Sequence, residues 1–83
     1  MFTKIKSQGV VSLTEREQQV LNHIWDGLKN REIGKALRIS PKTVEAHRAN
    51  MMKKLRTTNT AQLLKNCLEL GFLRHRLRVA QAT

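Results

Sequence analysis

Residues 30–55 read NREIGKALRISPKTVEAHRANMMKKL. Two helix signatures meet there across a three-residue break. The first covers about Asn30 to Leu37, with Ile33, Ala36 and Leu37 at inward positions. Arg38-Ile39-Ser40 interrupts it, and Ile39 is placed to plug the core beneath the turn. Ser40 is a good N-cap, because its hydroxyl accepts from backbone N–H groups that a first turn leaves unpaired. Pro41 follows at the first helical position, where its missing N–H costs nothing. The second helix is therefore expected from about Pro41 to Leu55.

Advancing about 100° per residue divides that helix into two sides. Val44, His47, Met51 and Leu55 share one stripe, and Lys42, Ala46, Ala49, Asn50 and Lys53 lie opposite, with Glu45 at the edge. The second face has small residues at its centre, polar tips and flanking lysines. A helix entering a major groove needs such a face, since bulky side chains would hold the backbone away from base edges. A solvated surface helix is the plainer reading, but it usually carries longer charged residues than two alanines. A short helix, a tight break and a capped second helix form a helix-turn-helix pattern, which favours the groove. Asn30 and Arg31 begin the first of these helices, where backbone N–H groups point at anions.

Working outward, Thr14 with Glu17 three residues on is a capping box, and Val20, Leu21, Ile24, Trp25 and Leu28 recur at helical spacing up to the terminating Gly27. Asn59 with Gln62 starts a fourth helix that runs to about Leu70 and ends at Gly71. No stretch shows strand alternation. The expected fold is all-α: a four-helix bundle over residues 12–73 containing the helix-turn-helix, with a flexible N-terminal arm (1–11) and a basic tail (74–83). The tail reads as a fifth half-helix or a disordered arm.

Sixteen Lys/Arg against six Asp/Glu give the 83-residue chain a formal charge of +10, which attracts polyanions. Nine of those cations lie between Lys29 and Arg56, opposed only by Glu32 and Glu45. The lone Cys67 rules out an internal disulfide and a Cys-based zinc cage, so a reducing cytoplasm fits. His23, His47 and His75 lack ligand-like spacing, so neither a metal nor a cofactor is expected. No membrane span, phosphate loop, paired acid/base carboxylates or nucleophile constellation is present in the pattern, and the chain is not read as an enzyme.

Three stretches, LTEREQQVL at 13–21, GLKNREIGKALRISPKTVEAHRANMMKKL at 27–55 and NTAQLL at 59–64, together resemble the LuxR-type (NarL/FixJ, GerE-like) DNA-binding domain over more than half the chain. The resemblance implies a four-helix transcription regulator that commonly pairs through its last helix. By position it puts Glu45, Ala46 and Ala49 at groove-facing sites, and Arg31, Lys42, Thr43 and Lys54 at positions associated with the DNA backbone. His47 matches a frequent family histidine. Three residues depart from the pattern. Lys29 replaces a usual Ser, so Asn30 is expected to cap the helix instead. Gly34 replaces a usual Ala, at a helix cost of about 1 kcal/mol. Arg56 replaces a usual Gly, so its turn must avoid a left-handed conformation or accept strain.

Lys42, Lys53, Lys54 and Arg31 are expected to neutralise phosphates, which gives affinity without sequence information. Glu45 is a base-reading candidate, as a carboxylate accepts from cytosine N4, or else it pairs along the helix with Arg48 or Lys42. Ala46 and Ala49 suit thymine methyls or close approach, and Asn50 completes the readout set. Arg48 is read as covering the core with its stem. On the fourth helix Leu63, Cys67 and Leu70 form an inward stripe, while Ala61, Leu64 and Leu68 form a second one. The second stripe is either a homodimer face or is covered by the arm or tail. The resemblance favours the dimer, which would read an inverted repeat.

The expected partners are double-stranded DNA, a second copy and RNA polymerase, with no membrane. In longer relatives an N-terminal receiver or ligand-binding domain controls this part, and residues 1–12 cannot hold one. The chain is then a stand-alone regulator or the effector domain of a response regulator. One alternative is an interaction protein that antagonises another regulator by heterodimerising through the fourth helix, which Lys42 and Lys53 argue against. A non-specific RNA binder is another, but Phe2, Trp25 and Phe72 are the only aromatics and make no stacking platform.

Overall fold

Each helix begins where the sequence supplies a cap. In the computed structural model, which describes residues 2–5 and 9–73 and side chains from Val11 to Leu73, α1 spans Glu15–Trp25, α2 Asn30–Leu37, α3 Pro41–Leu55 and α4 Thr60–Leu70. The four helices and the helix-turn-helix stand as the sequence implies. Thr14 Oγ1 accepts the Glu17 N–H at 3.0 Å, and Glu17 Oε1 accepts the Thr14 N–H at 2.9 Å, closing the capping box. Ser40 Oγ accepts from Thr43 N–H at 3.1 Å, and Asn59 Oδ1 from Gln62 N–H at 2.9 Å. At α2 the cap position belongs to Lys29, not Asn30. An ammonium has no acceptor, so no side chain caps the first-turn N–H groups; Glu32 Oε1 supplies the other half of a capping box by taking the Lys29 N–H at 2.7 Å. Asn30 is thereby free for another role.

Residues 2–5 and 9–12 differ from the flexible arm expected over 1–11. Strands β1 (Phe2–Ile5) and β2 (Gly9–Ser12) pair antiparallel, with Phe2 opposite Ser12 and Ile5 opposite Gly9. Phe2, Thr3, Ile5, Val10 and Val11 are aromatic or β-branched and suit a pleated backbone. Four residues per strand are too few to display alternation. Val11 is buried against the helices, and β1 runs beside α4. The tail, residues 74–83, lies outside the described residues.

Helix α3 packs against α1, α2 and α4, and its Val44 and Met51 are fully buried with Val20 and Leu21 of α1, Ile33 of α2, and Leu63 and Cys67 of α4. Phe72 is also core, whereas Trp25 and His47 are half-buried. Ala36, expected inward, is exposed, and Gly34 is buried in its place. The reason is the tightness of the turn. A Cβ at Gly34 would lie 2.6 Å from the Ile39 carbonyl oxygen, and the Ile39 N–H donates back to Gly34 O at 2.9 Å. The glycine that weakens an isolated helix is what lets α3 leave so close to α2.

At the exits of both α2 and α3 an arginine takes the left-handed conformation. Arg38 ends α2 at φ 60°, ψ 45°, and Arg56 ends α3 at φ 52°, ψ 50°. Arg56 accepts the strain, while the Thr57 N–H satisfies the Met52 carbonyl at 2.9 Å. Just before it, Lys54 reaches across to α1. Its Nζ lies 2.6 Å from Glu17 Oε1 and 3.1 Å from Ser12 O. Glu17 is only 3% exposed, so its carboxylate is compensated by the capping N–H and this ammonium. On α4, burial pushes the Cys67 thiol from 9.0 up to about 12.

Unfolding and thiol-reactivity measurements test this packing. Lys54→Met strands the Glu17 carboxylate and lowers stability by about 2 kcal/mol in urea unfolding, a buried-pair loss reduced because the ammonium is partly solvated. Lys53→Met stays within about 0.5 kcal/mol. Gly34→Ala gains about 1 kcal/mol of propensity and loses about 2 to overpacking, so the midpoint falls. Cys67 reacts with a disulfide reagent only on unfolding. Because the unfolded thiol releases its proton first, stability declines as pH rises from 9.0 towards about 12 and is unaffected by this group below that window.

Candidate nucleic-acid interface

The cap at Ser40 and the buried stripe of α3 fix which side of that helix meets solvent. Lys42, Thr43, Glu45, Ala46, Ala49, Asn50 and Lys53 are all exposed, on one continuous outer surface. Its centre rises no higher than a methyl group at Ala46 and Ala49. Lys42 and Lys53 stand near its two ends. Thr43 is tied into the cap, its hydroxyl 3.0 Å from Ser40 Oγ. Among the described residues Glu45 forms no ion pair with Arg48 or Lys42, so its carboxylate is available to a ligand.

Lys54 stands apart from this set. Its ammonium is turned inward onto Glu17 and the Ser12 carbonyl. Arg48, read from the sequence as a covering stem, has a sharper role. Its Nη1 donates to Asn30 Oδ1 at 3.0 Å and its Nη2 to Thr60 Oγ1 at 2.6 Å. One half-buried guanidinium thus joins the first residues of α2 and α4 to the middle of α3. No local pattern marks it, since its partners lie 18 and 12 residues away.

Beside this bracket is an open groove of about 860 Å³, whose walls include Lys29, Asn30, Arg31, Lys35, Arg48 and Thr60. Glu32 is the one carboxylate in its lining. Four cations against one anion, around the N-terminus of α2, make the groove attractive to phosphate. Arg31 is exposed and Asn30 half-buried there.

Of the second α4 stripe, Ala61 is exposed, while Leu64 and Leu68 are half-buried against the core. The stripe is less bare than the sequence implies, because the bundle already covers part of each leucine. Among the described residues no group of His, Cys, Asp or Glu could hold a metal, and no helix is long and apolar enough to cross a membrane.

Comparison with known proteins agrees with this architecture. Residues 11–66 match the profile of GerE, bacterial regulatory proteins of the luxR family. The chain is 48% identical over 59 residues to the uncharacterized response regulatory protein YgeK of Escherichia coli (strain K12), covering 71% of this chain and 40% of that protein. It is 46% identical over 61 residues to the transcriptional regulatory protein FixJ of Rhizobium meliloti (strain 1021), covering 74% and 30%. The chain therefore spans less than half the length of these relatives. The solved structure of the transcription factor GerE superposes with a TM-score of 0.72 at 32% identity, covering 75% of this chain and 92% of that one. With four helices, an intact helix-turn-helix and more than half its length matched, the chain belongs to the luxR family of bacterial regulatory proteins, as a helix-turn-helix DNA-binding domain and not an enzyme.

Proposed function

We propose that this domain reads duplex DNA sequence by laying α3 in the major groove. The observation that carries the reading is the exposed, small-centred face of α3, two alanines between Lys42 and Lys53 on a helix held firmly from behind. In this reading Glu45, Ala46, Ala49 and Asn50 face base edges. Asn30, Arg31, Lys42, Thr43 and Lys53 follow the phosphates, and Lys54 contributes by fixing α3 against α1. Two copies pair through Ala61, Leu64 and Leu68 of α4, so that two recognition helices read the halves of an inverted repeat. The domain serves a cytoplasmic transcription regulator, as the effector part of a response regulator of the kind YgeK is named for, with RNA polymerase as a downstream partner.

Selection from a random duplex library at near-physiological salt tests this. The expected product is an inverted repeat with half-sites about one helical turn apart. A pool with no enrichment, despite salt-sensitive binding, overturns sequence reading. On the selected site, Glu45→Ala relaxes preference at one position per half-site and barely changes the salt slope. A uniform gain in affinity with unchanged preference would reduce Glu45 to an electrostatic filter.

A further inference from the structure

We infer that Arg48 is a positioning residue for DNA binding: it orients the Asn30 side chain so that its amide donors face a phosphate at the start of α2. The inference rests on the reading of α2 and α3 as the DNA-binding elements, and adds a residue that acts through Asn30, its guanidinium donors being used on Asn30 and Thr60. A guanidinium has five N–H donors and no acceptor. Whatever touches Arg48 Nη1 on Asn30 must therefore be the carbonyl oxygen, and Oδ1 is found there at 3.0 Å. In a planar amide this turns the two Nδ2 protons away from the guanidinium. Asn30 lines the cationic groove together with Lys29, Arg31 and Lys35, so a donor turned that way suits an anion.

The bracket is held from its other side by α4. Arg48 Nη2 donates to Thr60 Oγ1 at 2.6 Å, and Thr60 is the first residue of that helix. Fixing both ends of the guanidinium removes the freedom of a long side chain, and with it the freedom of Asn30 to flip. Thr60 is then linked to DNA affinity through two side chains, although its own hydroxyl is spent on Arg48. Asn30 contributes a neutral donor, whereas Lys29, Arg31 and Lys35 contribute charge.

A charge-neutral double-mutant cycle tests the chain of contacts, using the 83-residue chain and duplex carrying the selected site. Asn30→Ala should weaken binding about tenfold, the worth of one hydrogen bond to a charged group, without changing the slope against log salt, because no cation is lost. Thr60→Val should weaken it about threefold by loosening Arg48, and the double variant should bind no more weakly than Asn30→Ala alone. Asn30→Asp guards against a fold lost by stranding Arg48: its carboxylate keeps the Arg48 contact and removes the donors. It should melt no lower than wild type and still bind at least tenfold more weakly, which excludes structural damage; its added negative charge shares in that loss, so the positioning role is read from the charge-neutral pair. Losses that multiply in the double variant, or Asn30→Asp binding like wild type, would overturn the positioning role. Arg31→Ala separates the two levels. If it lowers affinity and salt slope while Asn30→Ala changes nothing, phosphate binding at α2 stands and Arg48 is only structural. If neither matters, the DNA-binding assignment of α2 fails, and the inference with it.

Discussion

A buried carboxylate at the start of α1, held by an ammonium from the end of α3, sets the orientation of the helix on which the rest depends. Glu17 Oε1 takes both the Thr14 N–H and the Lys54 ammonium. One oxygen thus closes the first turn of α1 and anchors the last turn of α3. Both charges sit where helix dipoles favour them, the carboxylate near an N-terminus and the ammonium near a C-terminus. Lys54 also reaches the Ser12 carbonyl, which ties in the end of the hairpin.

The other tethers of α3 complete the pattern. Its first turn is set by Ser40 and by the close passage of the Ile39 carbonyl over Gly34. Its middle is braced by Arg48. Apart from Thr43, whose N–H and hydroxyl serve the cap, these contacts leave from the inward half of the helix. The outward half is left with Ala46, Ala49, Asn50 and Glu45, residues that owe little to folding. A rigid element with an uncommitted face is what base readout needs, since less is lost on binding when the reader is already held in place.

How much of this was legible depended on how far each interaction reaches along the chain. Caps are local. Thr14, Ser40 and Asn59 announce their helices within three residues, and the starts of α1, α3 and α4 fall where those residues put them. The solvent face of α3 was equally readable, because a repeat of 3.6 residues and a buried Val44 and Met51 leave little choice. Lys54 and Arg48 were not. One lysine of an adjacent pair turns inward because Glu17 lies across the bundle, 37 residues earlier. Gly34 shows the same limit with its sign reversed: propensity counts it as a weakness, whereas the neighbouring turn requires the missing Cβ. Lys29 is a poor cap by its side chain, but the compensating contact at that turn is made by Glu32 instead of Asn30. The strand pair has no local signal because each strand is only four residues long, and the contacts that hold it, Val11 in the core and Lys54 on Ser12, come from far along the chain.

Of the left-handed positions among the described residues, Gly27 and Gly71 hold two, and Arg38 and Arg56 hold two more at a Cβ penalty of about 1–2 kcal/mol per residue. A cation at a helix C-terminus recovers some of that. What the two side chains keep is reach. Replacing either by glycine removes one unit from a net charge of +10, and that charge acts over a screening distance of about 8 Å, well beyond any hydrogen bond. Backbone ease and the rate of capture of a polyanion are therefore set against each other at the same two turns. Where ionic strength is low the arginines hasten encounter; in concentrated salt only their conformational cost is left.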